Sequence, residues 1–342
     1  MSRGNFHYLP PVYTCLILAT ILFIQLFACD SNDTSHFSES AKSDLLPMDL
    51  DLAKLDVMQL VERASKLSDK GEFSSAAQLL KLAVQKDSQT VLLQHQLADA
   101  YLEGLESRQA LETMEKAAIS FPKSTETLLK LSEFQLILRR YDKALQTLQQ
   151  VHDLHPSNAM AFFIKGMVRK ELGDSTGAIL EFQYATREDP SLIDAWINAG
   201  QLAQALGHDN ALSFFQAGLR IDPDNLLLLS ALASSHAGHG RSNEAIATYR
   251  RMISIDNDYS RAYFDLGLLY LDLDSLKKSH DHFNMAIETE PLFGRAYFYR
   301  GLTSELLNLP REALSDYKQA LKLRPDDADV LEGLERLRNQ QN

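Results

Sequence analysis

The sequence predicts an all-α chain, an α-solenoid of about eight helix-turn-helix repeats closed by a carboxy-terminal helix. The first observation behind this is a period. Prolines that stop helices stand at Pro122, Pro156, Pro190, Pro223, Pro291 and Pro325, in steps of 34, 34, 33, 68 and 34 residues. The residue before a proline is pushed out of the α region, and a fixed period of this length marks a stacked repeat rather than separate globular domains. Asn257 falls midway in the long step, and one period before Pro122 lies Ser88. The second observation is that small residues keep the same step. They are Ala98, Ser132, Gly166, Gly200, Ala233, Gly267 and Gly301 in the first helices, and Ala76, Ala110, Ala144, Ala178, Ala211, Ala245, Ser279 and Ala313 in the second. A small side chain once per helix lets two backbones cross closely. The third is helical patterning, clearest in the last repeat. Tyr297, Gly301 and Leu302 share one face, as do Ala313, Tyr317, Ala320 and Leu321, with Pro310 opening the second helix where it lacks no bond.

In chain order, residues 1–28 predict a signal peptide or an amino-terminal anchor. The run from Cys15 to Ala28 carries no charge and follows Arg3, the only basic residue before it. It is short for a bilayer span, which takes about 20 residues, and suits the apolar region of a secretory signal. Leu26-Phe27-Ala28-Cys29 resembles the lipobox of bacterial lipoproteins, although Phe27 is bulkier than the pattern's usual residue. The resemblance implies cleavage before Cys29 and lipidation of that residue. An uncleaved anchor from about Val12 to Ala28 and a simple cleaved signal remain open. Lipid and anchor alike place the repeats outside the cytoplasm, in a bacterial periplasm or cell envelope. Residues 29–46 are polar and rich in Ser and Asp, the composition of a flexible tether. Asp30 directly after Cys29 matches, in some Gram-negative families, retention at the inner membrane. Inner and outer membrane both stay open.

Residues 47–325 then form the solenoid, with repeats at about 57–90, 91–124, 125–158, 159–192, 193–225, 226–259, 260–293 and 294–325. A one-residue deletion falls near Gly207-His208-Asp209-Asn210. Residues 326–342 predict a capping helix, with Val330, Leu334 and Leu337 inward and Glu332, Glu335, Arg336 and Arg338 outward, to cover the apolar end of an open stack. The order of aromatic, Leu-Gly, Tyr, Ala and Pro residues resembles the tetratricopeptide repeat family, as in Trp196-Ala199-Gly200 through Pro223 and Tyr263-Leu266-Gly267-Tyr270 through Pro291. The resemblance covers roughly residues 57–325 and implies a right-handed solenoid whose first helices line the inner surface. Ser88, Asn257 and Ser279 depart from the pattern.

Composition excludes several functions. The two cysteines, Cys15 and Cys29, lie before the repeats, so the solenoid uses no disulfide. The formal net charge is −12 and no block of basic residues occurs, so nucleic acid is not an expected partner. His236 with His239, and His280 with His282, make incomplete metal sites. Gly238-His239-Gly240 lacks the context of a phosphate loop. No nucleophile, base or metal constellation stands out, so neither enzymatic activity, cofactor nor small-molecule substrate is expected.

The informative positions lie on the first helices. Leu129, Phe163, Ile197, Ser230, Phe264 and Phe298 recur with the period. Four residues on, along the same face, come Glu133, Met167, Gln201, Ser234, Leu268 and Leu302. The expected peptide-binding groove comprises Met160, Phe163, Met167, Ile197, Arg261, Phe264, Leu268, Arg295, Phe298 and Leu302. The alternative is that these side chains fill the space between repeats. A carboxylate clamp of the chaperone-binding kind is not assembled, since Phe163, Met167, Asn198 and Arg261 occupy its places and only the last two match in type. The expectation is a membrane-tethered, non-enzymatic scaffold that binds peptide or helical segments of other proteins. The alternative is an accessory subunit that presents substrate to an envelope enzyme or to an export or assembly machine.

Overall fold

The computed structural model describes residues 52–340 apart from position 209. The signal segment, Cys29 and the tether lie outside the described residues. Among the described residues, seventeen α-helices, preceded by one turn of 3-10 helix at Leu52–Lys54, belong to an all-α tetratricopeptide-like solenoid with no strand. Two compact units divide the chain, one through Asp174 and one from Ser175.

In the amino-terminal unit the helices are α1 (Val57–Ser68), α2 (Phe73–Lys86), α3 (Val91–Glu103), α4 (Ser107–Ser120), α5 (Thr125–Ile137), α6 (Tyr141–Leu154) and α7 (Ala159–Glu171). Each helix packs on the next in sequence, and the apolar faces meet in successive clusters. Leu60, Ala64, Leu79, Ala83, Leu93 and Leu97 form one, and Ala98, Ala110, Met114, Leu131 and Phe134 the next. α5 also touches α3 and α7, so first helices of successive repeats lie against each other. Comparable contact between successive second helices is absent among the described residues of this unit, which places the first helices on the crowded side of its curve.

The carboxy-terminal unit holds α8 (Ser175–Glu188), α9 (Ile193–Ala205), α10 (Ala211–Ile221), α11 (Leu226–Gly238), α12 (Ser242–Ile255), α13 (Ser260–Asp272), α14 (Leu276–Thr289), α15 (Gly294–Leu306), α16 (Pro310–Leu323) and α17 (Ala328–Gln340). The small residues sit where aromatic rings pass. A side chain at Gly267 would place its Cβ 2.7 Å from the Phe283 ring, closer than packed atoms come. The same rule sets Gly200 against Phe215 and Gly301 against Tyr317. α17 covers the end of the stack through Val330, Leu334 and Leu337, which pack on Tyr317 and Ala320. Arg336 does not simply face outward. It reaches Glu305 of α15 at 3.3 Å while Tyr317 donates to the same carboxylate at 2.7 Å, and this network pins the last helix to the two before it.

The turns inside the repeats share one backbone. Gly71, Leu105, Arg139, Gly173, Gly207, Gly240, Asp274 and Asn308 all have positive φ, at the spacing of the repeat. After each, an N–H bonds the carbonyl five residues back at 2.7–2.9 Å, from Glu72 to Leu67 through Leu309 to Ser304. This is the helix-ending arrangement that wants a left-handed residue. Between repeats the helix ends in extended backbone, as at His155 before Pro156 (φ −142, ψ 85). Asp87 before Ser88 (φ −137, ψ 92) and Asp256 before Asn257 (φ −138, ψ 104) leave in the same way without a proline. There an aspartate side chain makes the turn: Asp87 accepts from the N–H groups of Gln89 and Thr90, and Asp256 from that of Asp258.

Candidate protein-binding face

Of the residues expected to line a groove, Met160 and Phe163 on α7 are half-buried, and Met167 on the same helix is buried. Ile197 on α9 is half-buried, as are Leu268 on α13 and Phe298 and Leu302 on α15. Arg261 and Arg295 are exposed.

Phe264 is different. Its side chain is 0% exposed, so it offers no surface to a ligand and belongs to the core between α13, α14 and α15. Phe283, Phe293 and Tyr299 surround it, with ring centroids 5.7, 4.8 and 5.6 Å away. The ring is enclosed because the next repeat supplies two large aromatics, Phe293 in the preceding turn and Tyr299 on α15. That depends on neighbours 29 and 35 residues away, which the register of Phe264 alone does not reveal. Met167 is enclosed likewise, at 6% exposure. The column is therefore mixed, with Phe298 half-open and Phe264 closed.

The two arginines meet on that buried ring. The Arg261 guanidinium lies 5.9 Å and that of Arg295 5.4 Å from the Phe264 centroid, near enough for each cation to be attracted by the ring electrons. Nε of Arg261 donates to both oxygens of Asp265 at 3.0 and 2.9 Å. Burial raises the Asp265 carboxyl, while Arg261 and, more weakly, Arg295 oppose the rise. Asp265 was not legible as part of the site, although its spacing of four from Arg261 is the signal that could have found it.

On α3 and α5 of the amino-terminal unit the first-helix face carries polar groups. Lys130 of α5 pairs with Asp99 of α3 at 2.9 Å. Glu133 stands near both, and its carboxyl is pushed up to about 7, chiefly by burial, with Asp99 adding to the rise and Lys130 working against it. His95 is enclosed, with Nε2 3.1 Å from the Thr127 hydroxyl and Nδ1 3.6 Å from Glu126. The Thr127 side chain is 0% exposed, so this hydroxyl–imidazole pair has no access to a substrate.

One histidine of each pair is bonded to its own helix. Nδ1 of His239 bonds the Ser235 carbonyl and Nδ1 of His282 the Lys278 carbonyl, each at 2.7 Å. Among the described residues no group of three or more His, Cys, Asp or Glu side chains could hold a metal, and no helix is long and apolar enough to cross a membrane.

The comparisons agree with the architecture. The tetratricopeptide repeat model matches residues 95–159, 136–193 and 264–328. The chain is 23% identical over 284 residues to a peroxisomal targeting signal receptor of Candida albicans, covering 75% of this chain and 45% of that protein. It is 24% identical over 321 residues to a DnaJ protein P58IPK homolog of Arabidopsis thaliana, covering 83% and 65%. Human tetratricopeptide repeat protein 13 is 29% identical over 163 residues, 46% of this chain and 19% of its own length. The chain thus spans less than two thirds of each of these relatives. Yeast Tom70 superposes with a TM-score of 0.60 at 15% identity, over 99% of this chain and 76% of its own. The carboxy-terminal part of a repeat protein from Cytophaga hutchinsonii gives 0.54 at 15% identity, over 69% and 98%. At such identity the likeness is one of fold. The 34-residue period and the paired helices agree with the match of residues 95–193 and 264–328 to the tetratricopeptide repeat model.

Proposed function

We propose that this protein is a non-enzymatic interaction scaffold that holds peptide or helical segments of partner proteins on the face of its first helices, and that lipid at Cys29 tethers it to a bacterial envelope membrane. One observation carries the binding half. Large apolar side chains on that face, Phe298, Leu302 and Leu268 in the carboxy-terminal unit and Met160 and Phe163 in the amino-terminal one, are left half-open and are not folded away. Open apolar surface beside exposed arginines is what a docking segment uses. Tetratricopeptide proteins serve as protein-interaction scaffolds, which supports the same reading. The tether rests on Leu26-Phe27-Ala28-Cys29 and the uncharged run before it.

The two halves are tested separately. For binding, a photo-crosslinking amino acid replaces Phe298 or, as a control on the opposite helix row, Lys318, and crosslinked products are compared in membranes. Discrete adducts at Phe298 and none at Lys318 are expected, and equal patterns at both positions would defeat the reading. For the tether, a clickable fatty acid should label the wild type and not Cys29→Ser. Labelling that persists in the variant overturns lipidation at this residue.

A further inference from the structure

Resting on the binding reading above, we infer that the α13–α15 face selects partner segments carrying an aspartate or glutamate side chain beside a large apolar one. The carboxylate would be taken by Arg295 together with Arg261, and the apolar residue by Phe298, Leu302 and Leu268.

The charge count at this place is unbalanced. Two guanidinium groups lie over the single ring of Phe264, and one carboxylate, Asp265, stands beside them. That carboxylate is committed to Nε of Arg261, which leaves the terminal nitrogens of Arg261 without a bond to it. Arg295 is exposed, acts on Asp265 more weakly than Arg261 does, and has no ion-pair partner within 4.0 Å among the described residues. Two cations and one carboxylate leave a net positive charge at this ring, and a second carboxylate would offset it. The planar fork of a guanidinium matches the two oxygens of a carboxylate better than any other side-chain anion acceptor on offer in a protein.

The arrangement is local to two repeats. At the same register the flanking first helices carry Leu227 and Asp329, so the positive excess begins at Arg261 and ends at Arg295. It is also held in place. Phe264 cannot move without disturbing Phe283, Phe293 and Tyr299, so the two guanidinium groups lie against a fixed aromatic ring, and less ordering is left to be done on binding. On α15, Phe298 and Leu302 follow Arg295 at three and seven residues, which puts them on its side of the helix. Cation and apolar patch are therefore neighbours. The chain as a whole is acidic, so an anionic partner would be repelled elsewhere and favoured only where this excess lies.

The test uses the full-length protein in detergent micelles and three series of fluorescent synthetic helical peptides. All are acetylated and amidated, which removes terminal charges. All share one leucine-rich face and differ only in carrying Glu, Gln or Lys beside it. Anisotropy titrations should rank Glu above Gln by roughly tenfold, with Lys weakest, and the difference should shrink as salt is added. Arg295→Gln should bring Glu and Gln together with the fold retained and only a small drop in melting temperature, and Arg311→Gln, an exposed arginine on α16, should alter nothing. Equal binding of Glu and Gln by the wild type, or a Glu preference that survives Arg295→Gln, overturns this inference and leaves the scaffold reading standing. Binding of none of the three series overturns both.

Discussion

Gly333 stands against the ring of Tyr317: a Cβ built on this glycine would lie 2.8 Å from the ring carbons Cε2 and Cζ. Gly301 approaches the same ring, so the fully buried Tyr317 is held between α15 and α17. The last helix can reach its seat only because Gly333 has no side chain. Gly333→Leu should therefore cost about 1–3 kcal/mol, the usual penalty for overpacking. In a stack whose members touch mainly their neighbours, the loss should be local. Hydrogen exchange should accelerate in α15 to α17 and stay unchanged in α1 to α6. Uniform acceleration across the chain would contradict nearest-neighbour stability.

Phe264 and Phe298 occupy one register yet differ in burial, and their truncations should separate. Phe264→Ala empties an enclosed site and should lower stability by about 3–5 kcal/mol. Phe298→Ala removes a half-open ring and should cost clearly less, while weakening peptide capture. Urea unfolding of the two single variants, compared at equal slope, checks this. Equal losses would mean that Phe298 is as much a core residue as Phe264.

Leu105 holds a left-handed backbone, φ 61, at a place where four of the other turns use glycine. Its side chain is exposed and contributes little packing. A non-glycine residue pays roughly 1–2 kcal/mol for this conformation. Glycine loses part of that gain to its freer unfolded chain. Leu105→Gly should thus stabilise the protein by about 0.5–1 kcal/mol, seen as a raised urea midpoint. A lowered midpoint would show that the leucine side chain does more than its exposure suggests.

Glu133 gives a pH dependence with a defined sign. Its carboxyl ionises at 4.5 when unperturbed and at about 7 in the fold, where burial disfavours the charge. The folded state therefore holds its proton more tightly than the unfolded state does. The stability this confers is full below pH 4.5 and is lost as pH rises from there through about 7. Glu133→Gln should match the wild type at pH 4 and exceed it at pH 8 by ~1–3 kcal/mol. Urea unfolding of both proteins at several pH values isolates the difference from other carboxylates. A gap that does not grow between these limits would place the Glu133 carboxylate in solvent at neutral pH.

The architecture was legible because it is written many times over. A single stop proline or small residue says little, but Pro122 to Pro325 and Ala98 to Gly301 repeat in phase, and the backbone at Asp87 and Asp256 shows that the rhythm persists where the proline is missing. Repetition fixes helix, turn and crossing, because each depends on residues within a repeat or one step away. Exposure does not repeat in that way. Phe264 and Phe298 read alike along the chain, and only the packing of Phe293 and Tyr299 around the first made it core. The same holds for charge: Arg261 and Arg295 are one period apart in sequence, and their meeting over a shared ring, with Asp265 serving one of them, was decided in three dimensions. Arg336, expected to face outward, was drawn to Glu305 because α17 settles across α15 and α16. Period and polarity pattern are properties of the chain. Which side chains remain open to a partner depends on how much volume the next repeat brings, and that is settled only when the repeats stack.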